Sequence, residues 1–130
     1  MLLDLVRWVH LLAASVWTGG LIVLAVLVVA LRRAGADREY LRAAARAFGW
    51  ASWTAMGVAI VTGILQVVLI PLPWAYGRLH LKIGLVALAV VLAFVHTLTA
   101  RATGPALRGI IQLAILIVSL GIYGAAVLLR

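Results

Sequence analysis

The fold is decided by one stretch near the start of the chain, WVHLLAASVWTGGLIVLAVLVVAL at residues 8–31, which contains no charged side chain. A helix of this length extends about 36 Å at a rise of about 1.5 Å per residue, and the hydrocarbon core of a bilayer is about 30 Å thick. Asp4 precedes Arg7, so the basic start of a signal peptide is missing, and no Ala-x-Ala-like cleavage site follows. We therefore expect a retained transmembrane helix over about residues 3–31.

The rest of the chain repeats this pattern, with Gly, Pro and Arg between the apolar segments. Apolar side chains make up 67% of the sequence, whereas soluble domains have about 45–50%. We therefore predict an all-α integral membrane protein of one domain, residues 1–130, with four helices in an antiparallel up-down bundle surrounded by the lipid bilayer. The later three helices are expected at about residues 48–72, 79–100 and 106–129.

Two connections carry expectations of their own. Residues 37–47 begin with Asp37, a favourable N-cap, and continue with alanine-rich helix formers, so they should extend the second helix beyond the membrane. The second helix should end at Pro71-Leu72-Pro73, because proline stops a helix. Trp74 and Tyr76 follow, and these residue types favour the head-group level, which predicts an interfacial anchor.

Eleven Lys and Arg residues give a net charge of +8 and stand almost wholly at the ends of the apolar segments. This placement favours contact with lipid head groups over nucleic-acid binding, which needs a basic stripe with interleaved aromatics. The positive-inside rule places the first and third connections in the cytoplasm and both termini outside. The cytoplasmic group is Arg32, Arg33, Arg38, Arg42, Arg46, Arg101 and Arg108; the outer group is Arg7, Arg78, Lys82 and Arg130.

Missing residue types narrow the chemistry. There is no cysteine, which removes disulfides and thiolate metal sites. The three acidic residues all lie outside the deep parts of the apolar segments, which argues against a small proton-coupled carrier. Met1 and Met56 are the only methionines, so no thioether path for cuprous ions exists.

His10 is the first candidate for a ligand, because ionisable groups inside an apolar span are functional candidates. Neutral imidazole binds haem iron and copper well, and small residues farther along the helix would leave room for a flat ligand. Trp17 lies on the same helix face at 100° per residue, together with Ala14, Thr18 and Leu21. The alternative is a buried histidine that hydrogen-bonds a carbonyl of a neighbouring helix.

The third helix adds three candidates. In an up-down bundle it points the same way as the first helix, so His80 and Lys82 lie at the depth of His10, near the outer face. They differ by about 200° around the helix, so only one can face a given partner, and an amine in an apolar setting is a possible ligand too. His96 lies about 24 Å from His80 along the axis, so it belongs to a possible second site or to the cytoplasmic interface.

Arg7 and Arg78 lie close to His10 and His80 on the outer side. There they could bind the two propionates of a haem through bidentate contacts, or serve simply as helix-end charges.

The residues also resemble a known family. The run WVHLLAASVWTGGL at residues 8–21 is similar to the first helix of the CopD-like copper-resistance membrane domain and of HemJ-type protoporphyrinogen oxidases. Residues 76–86, YGRLHLKIGLV, resemble the third helix of these proteins, where the lysine at the position of Lys82 is typical, and residues 62–65, TGIL, fit the second helix. The HemJ branch implies haem b with His10 and Lys82 as the essential pair, and the CopD branch implies copper handling. The further histidine of HemJ proteins, just past the first helix, is replaced here by Leu31-Arg32-Arg33.

Three functional hypotheses follow. The leading one is a haem b protein of the bacterial cytoplasmic membrane, with His10 and either His80 or Lys82 on the iron, which transfers electrons to a quinone or other redox partner, or oxidises a small substrate such as a porphyrin. The second is copper transport or tolerance with the same histidines. The third is a scaffold without cofactor that forms a homo-oligomer through small residues such as Gly121 and Gly124.

Overall fold

Four long helices make up nearly all of the part of the chain that the computed structural model describes, residues 1–70 and 77–128. They are α1 (Leu2–Arg33), α2 (Arg38–Leu69), α3 (Gly77–Thr99) and α4 (Pro105–Leu128). All four are long and apolar enough to cross a membrane. The predicted all-α class with four membrane-spanning helices is therefore confirmed. The predictions for Pro71-Leu72-Pro73, Trp74, Tyr76 and Arg130 fall outside the described residues.

The connection between α1 and α2 is tight, and glycine makes it possible. Gly35 has φ +74°, a left-handed conformation that a side chain would strain. Its N–H donates to the Arg32 carbonyl at 3.1 Å, while the N–H of Ala36 reaches back to the Leu31 carbonyl at 3.0 Å. This pair of bonds is a Schellman motif, which satisfies carbonyls that the last turn of α1 leaves open.

Helix α2 begins as the sequence predicts. Asp37 is its N-cap residue, with extended backbone, and residues 38–47 continue without a break into the apolar part. The Asp37 side chain makes no capping hydrogen bond. Only its carbonyl is engaged, accepting the N–H of Tyr40 at 3.1 Å.

The chain divides into two compact units, Met1–Leu72 and Pro73–Arg130. In the first, α1 and α2 are antiparallel: Gly20 of α1 meets Phe48 of α2, while His10 meets Gly63. The closure of this pair and the α3–α4 pair into one bundle of residues 1–130 stays a prediction. The side chains buried in the first unit are Val6, Ala13, Trp17, Thr18 and Leu21 of α1 with Ser52, Ala55, Met56 and Thr62 of α2.

Helices α3 and α4 are antiparallel as well, because Arg78 contacts Leu128 while Leu85 lies near Gly121. Small side chains dominate the interface: Ala89 and Ala93 are buried on α3, and the Ser119 side chain is 1% exposed on α4. Its hydroxyl donates to the Ile115 carbonyl at 2.7 Å, so the polar atom is satisfied within its own helix.

Large apolar side chains cover the outside of each pair. Val68 is 72% exposed and Leu98 is 67% exposed, in helices with few charges. A soluble protein does not display apolar surface on this scale, so the surroundings of these helices are lipid. The chain is a multi-pass membrane protein.

The contact of Gly20 with Phe48 makes a testable prediction about packing. A Cβ at position 20 would lie 2.5 Å from Phe48 Cε2, whereas a Cβ at position 19 would meet nothing within 4 Å. We expect Gly20→Ala to lower the free energy of unfolding by about 1–3 kcal/mol relative to Gly19→Ala, the matched control.

Thermal unfolding of the detergent-purified variants provides the measurement. Adding Phe48→Leu to Gly20→Ala should recover part of the lost stability, because the ring edge that clashes is removed. Equal stability of the two alanine variants would show that α1 and α2 do not approach closely at Gly20.

Candidate functional site

The imidazole of His10 is held by helix α2 through one ring nitrogen. Nδ1 lies 2.9 Å from the backbone oxygen of Ala59 and 3.0 Å from Oγ1 of Thr62. A backbone carbonyl can only accept, so Nδ1 carries the proton and donates it. In this tautomer the lone pair of the neutral ring is on Nε2. The hydrogen-bonded histidine that the sequence left as an alternative is thus present, and the same bonds prepare the ring to act as a ligand.

Thr62 is oriented to complete this arrangement. Its hydroxyl lies 2.6 Å from the Val58 carbonyl, to which it donates, so its oxygen faces His10 as an acceptor. The Thr62 side chain is buried, with 8% exposure. Two acceptors on consecutive turns of α2 therefore fix both the position and the tautomer of the His10 ring.

Gly63 lies beside the ring. A Cβ at this position would lie 3.4 Å from Cε1 of His10 and 3.8 Å from its Nδ1, which is ordinary van der Waals contact. The ring edge therefore lies close to the backbone of α2. Thr62 and Gly63 are adjacent in the sequence. Thr62 supplies a hydrogen-bond acceptor for the His10 ring, and Gly63 supplies a flat backbone surface beside it.

Sequence reasoning singled out His10 but not its partners. The Ala59 carbonyl could not be identified as a partner from the sequence, because every residue has a backbone carbonyl. Thr62 had a signal, since a hydroxyl next to glycine is unusual in the apolar run of α2, and it entered only through the family resemblance.

The face of α1 that carries His10 agrees with the predicted periodicity. Trp17, Thr18 and Leu21 are all buried, and His10 is half-buried above them. The room expected beside the small residues is absent at Gly20, where the Phe48 ring fills it. A cofactor against α1 must therefore lie nearer to His10 than to Gly20.

An open apolar groove of about 410 Å³ runs along one flank of the α1–α2 pair. Val9, next to His10, and Val58, next to Ala59, both contribute to its wall. An apolar concavity of this kind can take a flat hydrophobic group, but His10 itself is not among its lining residues. The remaining wall consists of Leu12, Ala13, Val16, Trp50, Ala51, Thr54 and Ala55.

His80 and Lys82 lie in the second unit and face different ways, as their spacing predicts. His80 is exposed, whereas Lys82 is half-buried. Lys82 belongs to the least exposed stripe of α3, which lies against α4 and recurs at Leu79, Lys82, Val86, Ala89, Ala93 and His96. Lys82 and His96 therefore share the least exposed face of α3.

His96 has a buried ring nitrogen with no hydrogen-bond partner among the described residues, Nδ1. Arg108, at the start of α4, is close enough to act on it electrostatically. A second cofactor site at His96 stays a prediction.

The two arginines differ in their engagement. Arg78 Nη1 donates to the backbone oxygen of Leu128 at 2.6 Å, so it binds the last turn of α4. This is the helix-end role that the sequence left as an alternative, and the propionate contact stays a prediction. Arg7 is exposed on α1.

Taken by unit, the structure brings together His10, Thr62 and Gly63 in α1–α2 and aligns Lys82 with His96 along α3. A shared iron between His10 and His80 or Lys82 would join the two units and stays a prediction. Within residues 1–70 and 77–128, no group of three or more His, Cys, Asp or Glu side chains could hold a metal ion.

The role of Thr62 can be tested without any cofactor. Thr62→Val keeps the shape but removes the acceptor, so His10 Nδ1 is left with the Ala59 carbonyl alone. We expect a loss of about 0.5–1.5 kcal/mol in the free energy of unfolding, with Thr62→Ser close to the parent.

The ¹⁵N spectrum of the His10 ring gives an independent measurement. It should show the proton on Nδ1 in the parent and in Thr62→Ser. A proton found on Nε2 in the parent would contradict the assigned hydrogen bonds.

Comparison with protein-family models, curated proteins and solved structures found no match to this chain. The resemblance of its motifs to the CopD-like and HemJ-type families stays a prediction.

Proposed function

We propose that this chain is a membrane-embedded b-type haem protein with His10 as an axial ligand. The observation that carries the proposal is the pair of acceptors, the Ala59 carbonyl and Thr62 Oγ1, on His10 Nδ1. Histidines that bind metals characteristically donate the other ring N–H to such a group, which fixes the tautomer and makes the ligating nitrogen more basic. His10 would bind the iron through Nε2.

The surroundings of His10 suit haem better than free copper. A copper ion that is held by side chains alone needs several donor groups. The described part of the chain has no group of three or more His, Cys, Asp or Glu side chains that could hold a metal ion. Haem needs only one or two axial side chains and a large apolar surface. The groove that begins at Val9 and Val58 offers such a surface. Copper transport or tolerance is the alternative.

The second axial ligand is proposed to be His80 or Lys82. Each crossing of a membrane reverses the chain direction, so the first and third helices begin at the same membrane surface. His10 is two turns into α1, and His80 and Lys82 are in the first two turns of α3. The predicted up-down bundle would therefore hold all three at similar depths. His80 offers the stronger ligand on an exposed face, whereas Lys82 is the residue that the HemJ resemblance favours.

The haem would supply one-electron chemistry, and the protein would set its use. Two strong ligands favour electron transfer, whereas a weak or open position permits oxidation of a small substrate, as in HemJ-type enzymes. Arg7 is the candidate for holding a propionate at the end of α1. We place this activity in a bacterial cytoplasmic membrane, with the termini outside and a quinone, a porphyrin or a redox protein as the exchange partner.

The decisive measurement is the ultraviolet-visible spectrum of the protein purified from cells supplied with haem, oxidised and then dithionite-reduced. We expect a Soret band and sharp reduced α and β bands. Metal analysis of the same sample should find iron and little copper. A spectrum without haem bands would end this proposal, and stoichiometric copper would favour the alternative.

Variants identify the ligands. His10→Gly should lose most of the haem and regain it with millimolar imidazole, because the free ring can replace the missing side chain. Of His80→Gln and Lys82→Met, only one should change the spin state. Thr97→Val is the control, since it lies about 26 Å from His80 along α3 and should leave the spectrum unchanged. Full haem retention in His10→Gly without imidazole would contradict the assignment.

A further inference from the structure

The turn that joins α1 to α2 concentrates exposed positive charge. Three arginines recur at every fourth position of α2 and so lie on one face, about 6 Å apart along the axis; this arginine row is Arg38, Arg42 and Arg46. Arg32 and Arg33, at the end of α1, are exposed as well. In the described part of the chain the one ion pair is Asp4 with the terminal amine, so none of these five guanidinium groups has an acidic partner there.

A groove on α1 leads to this charged end. It has a volume of about 410 Å³ and is lined by Ala25, Val26, Val29, Ala30 and Arg33. The two alanines make it concave, and the valines make it apolar, with Val26 65% exposed. The lining residues follow the i, i+4 rows of α1, so the groove runs along the helix, and Arg33 is its lining residue nearest the turn.

We propose that this end of the α1–α2 pair is a binding site for an anionic phospholipid. The acyl chain lies in the groove and the phosphate contacts Arg33 and the neighbouring arginines. Guanidinium binds phosphate oxygens in bidentate fashion, and clusters of four or more basic residues beside a transmembrane helix attract anionic lipids.

The groove favours a lipid over an acidic protein as the molecule that binds at this site. An acidic peptide would match the arginines alone, whereas an amphiphile matches an apolar groove that is continuous with a guanidinium group. The proposal depends neither on haem nor on which side of the membrane the turn occupies.

The test is native mass spectrometry of the full chain in detergent, titrated with dioleoyl phosphatidylglycerol or dioleoyl phosphatidylcholine. We expect the anionic lipid to bind at least fivefold more tightly. Arg33→Gln should weaken it about fivefold, and the triple change Arg38→Gln, Arg42→Gln and Arg46→Gln should weaken it further. Arg101→Gln, at an exposed arginine of the other turn, is the control and should change nothing.

A second set of variants tests the groove. Ala30→Leu fills it and should weaken phosphatidylglycerol binding severalfold, while Ala87→Leu, at an exposed alanine of α3, should not. Circular dichroism checks that each variant stays helical.

Four results would overturn the proposal. Equal affinity for the two lipids would remove the charge preference. Unchanged binding in Ala30→Leu would remove the groove. Displacement of the lipid by equimolar glycerol phosphate would indicate a site for free phosphate. Tight binding of poly-glutamate, if it is unchanged in Ala30→Leu, would indicate an acidic protein partner.

Discussion

The hydrocarbon interior of a bilayer offers no hydrogen-bond partners, and most features of this protein answer that constraint. Short hydroxyl side chains satisfy themselves within their own helix: Ser15 donates to Leu11, Thr97 to Ala93 and Ser119 to Ile115. The imidazole ring of a histidine is too long and too rigid to hydrogen-bond a carbonyl of its own helix in this way. His10 therefore takes its acceptors from the neighbouring helix, and a functional candidate is at the same time a link between α1 and α2.

Lipid also removes the usual driving force for helix association, because the surroundings are as apolar as the interface. Close packing has to replace it, and close packing needs small residues. Gly20 admits the Phe48 ring, Gly63 admits the His10 ring, and Ala89 and Ala93 bring α3 near α4. Gly63 thus lies in the contact between α1 and α2 and beside the candidate ligand at the same time.

The sequence predicted the helices well because hydrophobic length, proline and glycine act locally. Helix ends agree to within two residues at α1, α3 and α4, and the extension of α2 from Arg38 was foreseen from Asp37 and the alanines. The site was foreseen less completely. Periodicity identified the face of His10 and separated His80 from Lys82, but the Ala59 carbonyl, the Phe48 ring over Gly20 and the Arg78 contact with Leu128 depend on the register between helices. The register between two helices follows from packing along their whole length, and no local sequence pattern predicts it.

The Arg78 contact also affects the mechanical behaviour of the α3–α4 pair. A helical hairpin is normally fastened at its turn and loose at its other end. Here the chain closes one end between Thr99 and Pro105, and a guanidinium–carbonyl bond closes the other, between the first turn of α3 and the last turn of α4. This bond opposes separation of the two helices at the end opposite the turn, so the pair is held together at both ends and not at one alone.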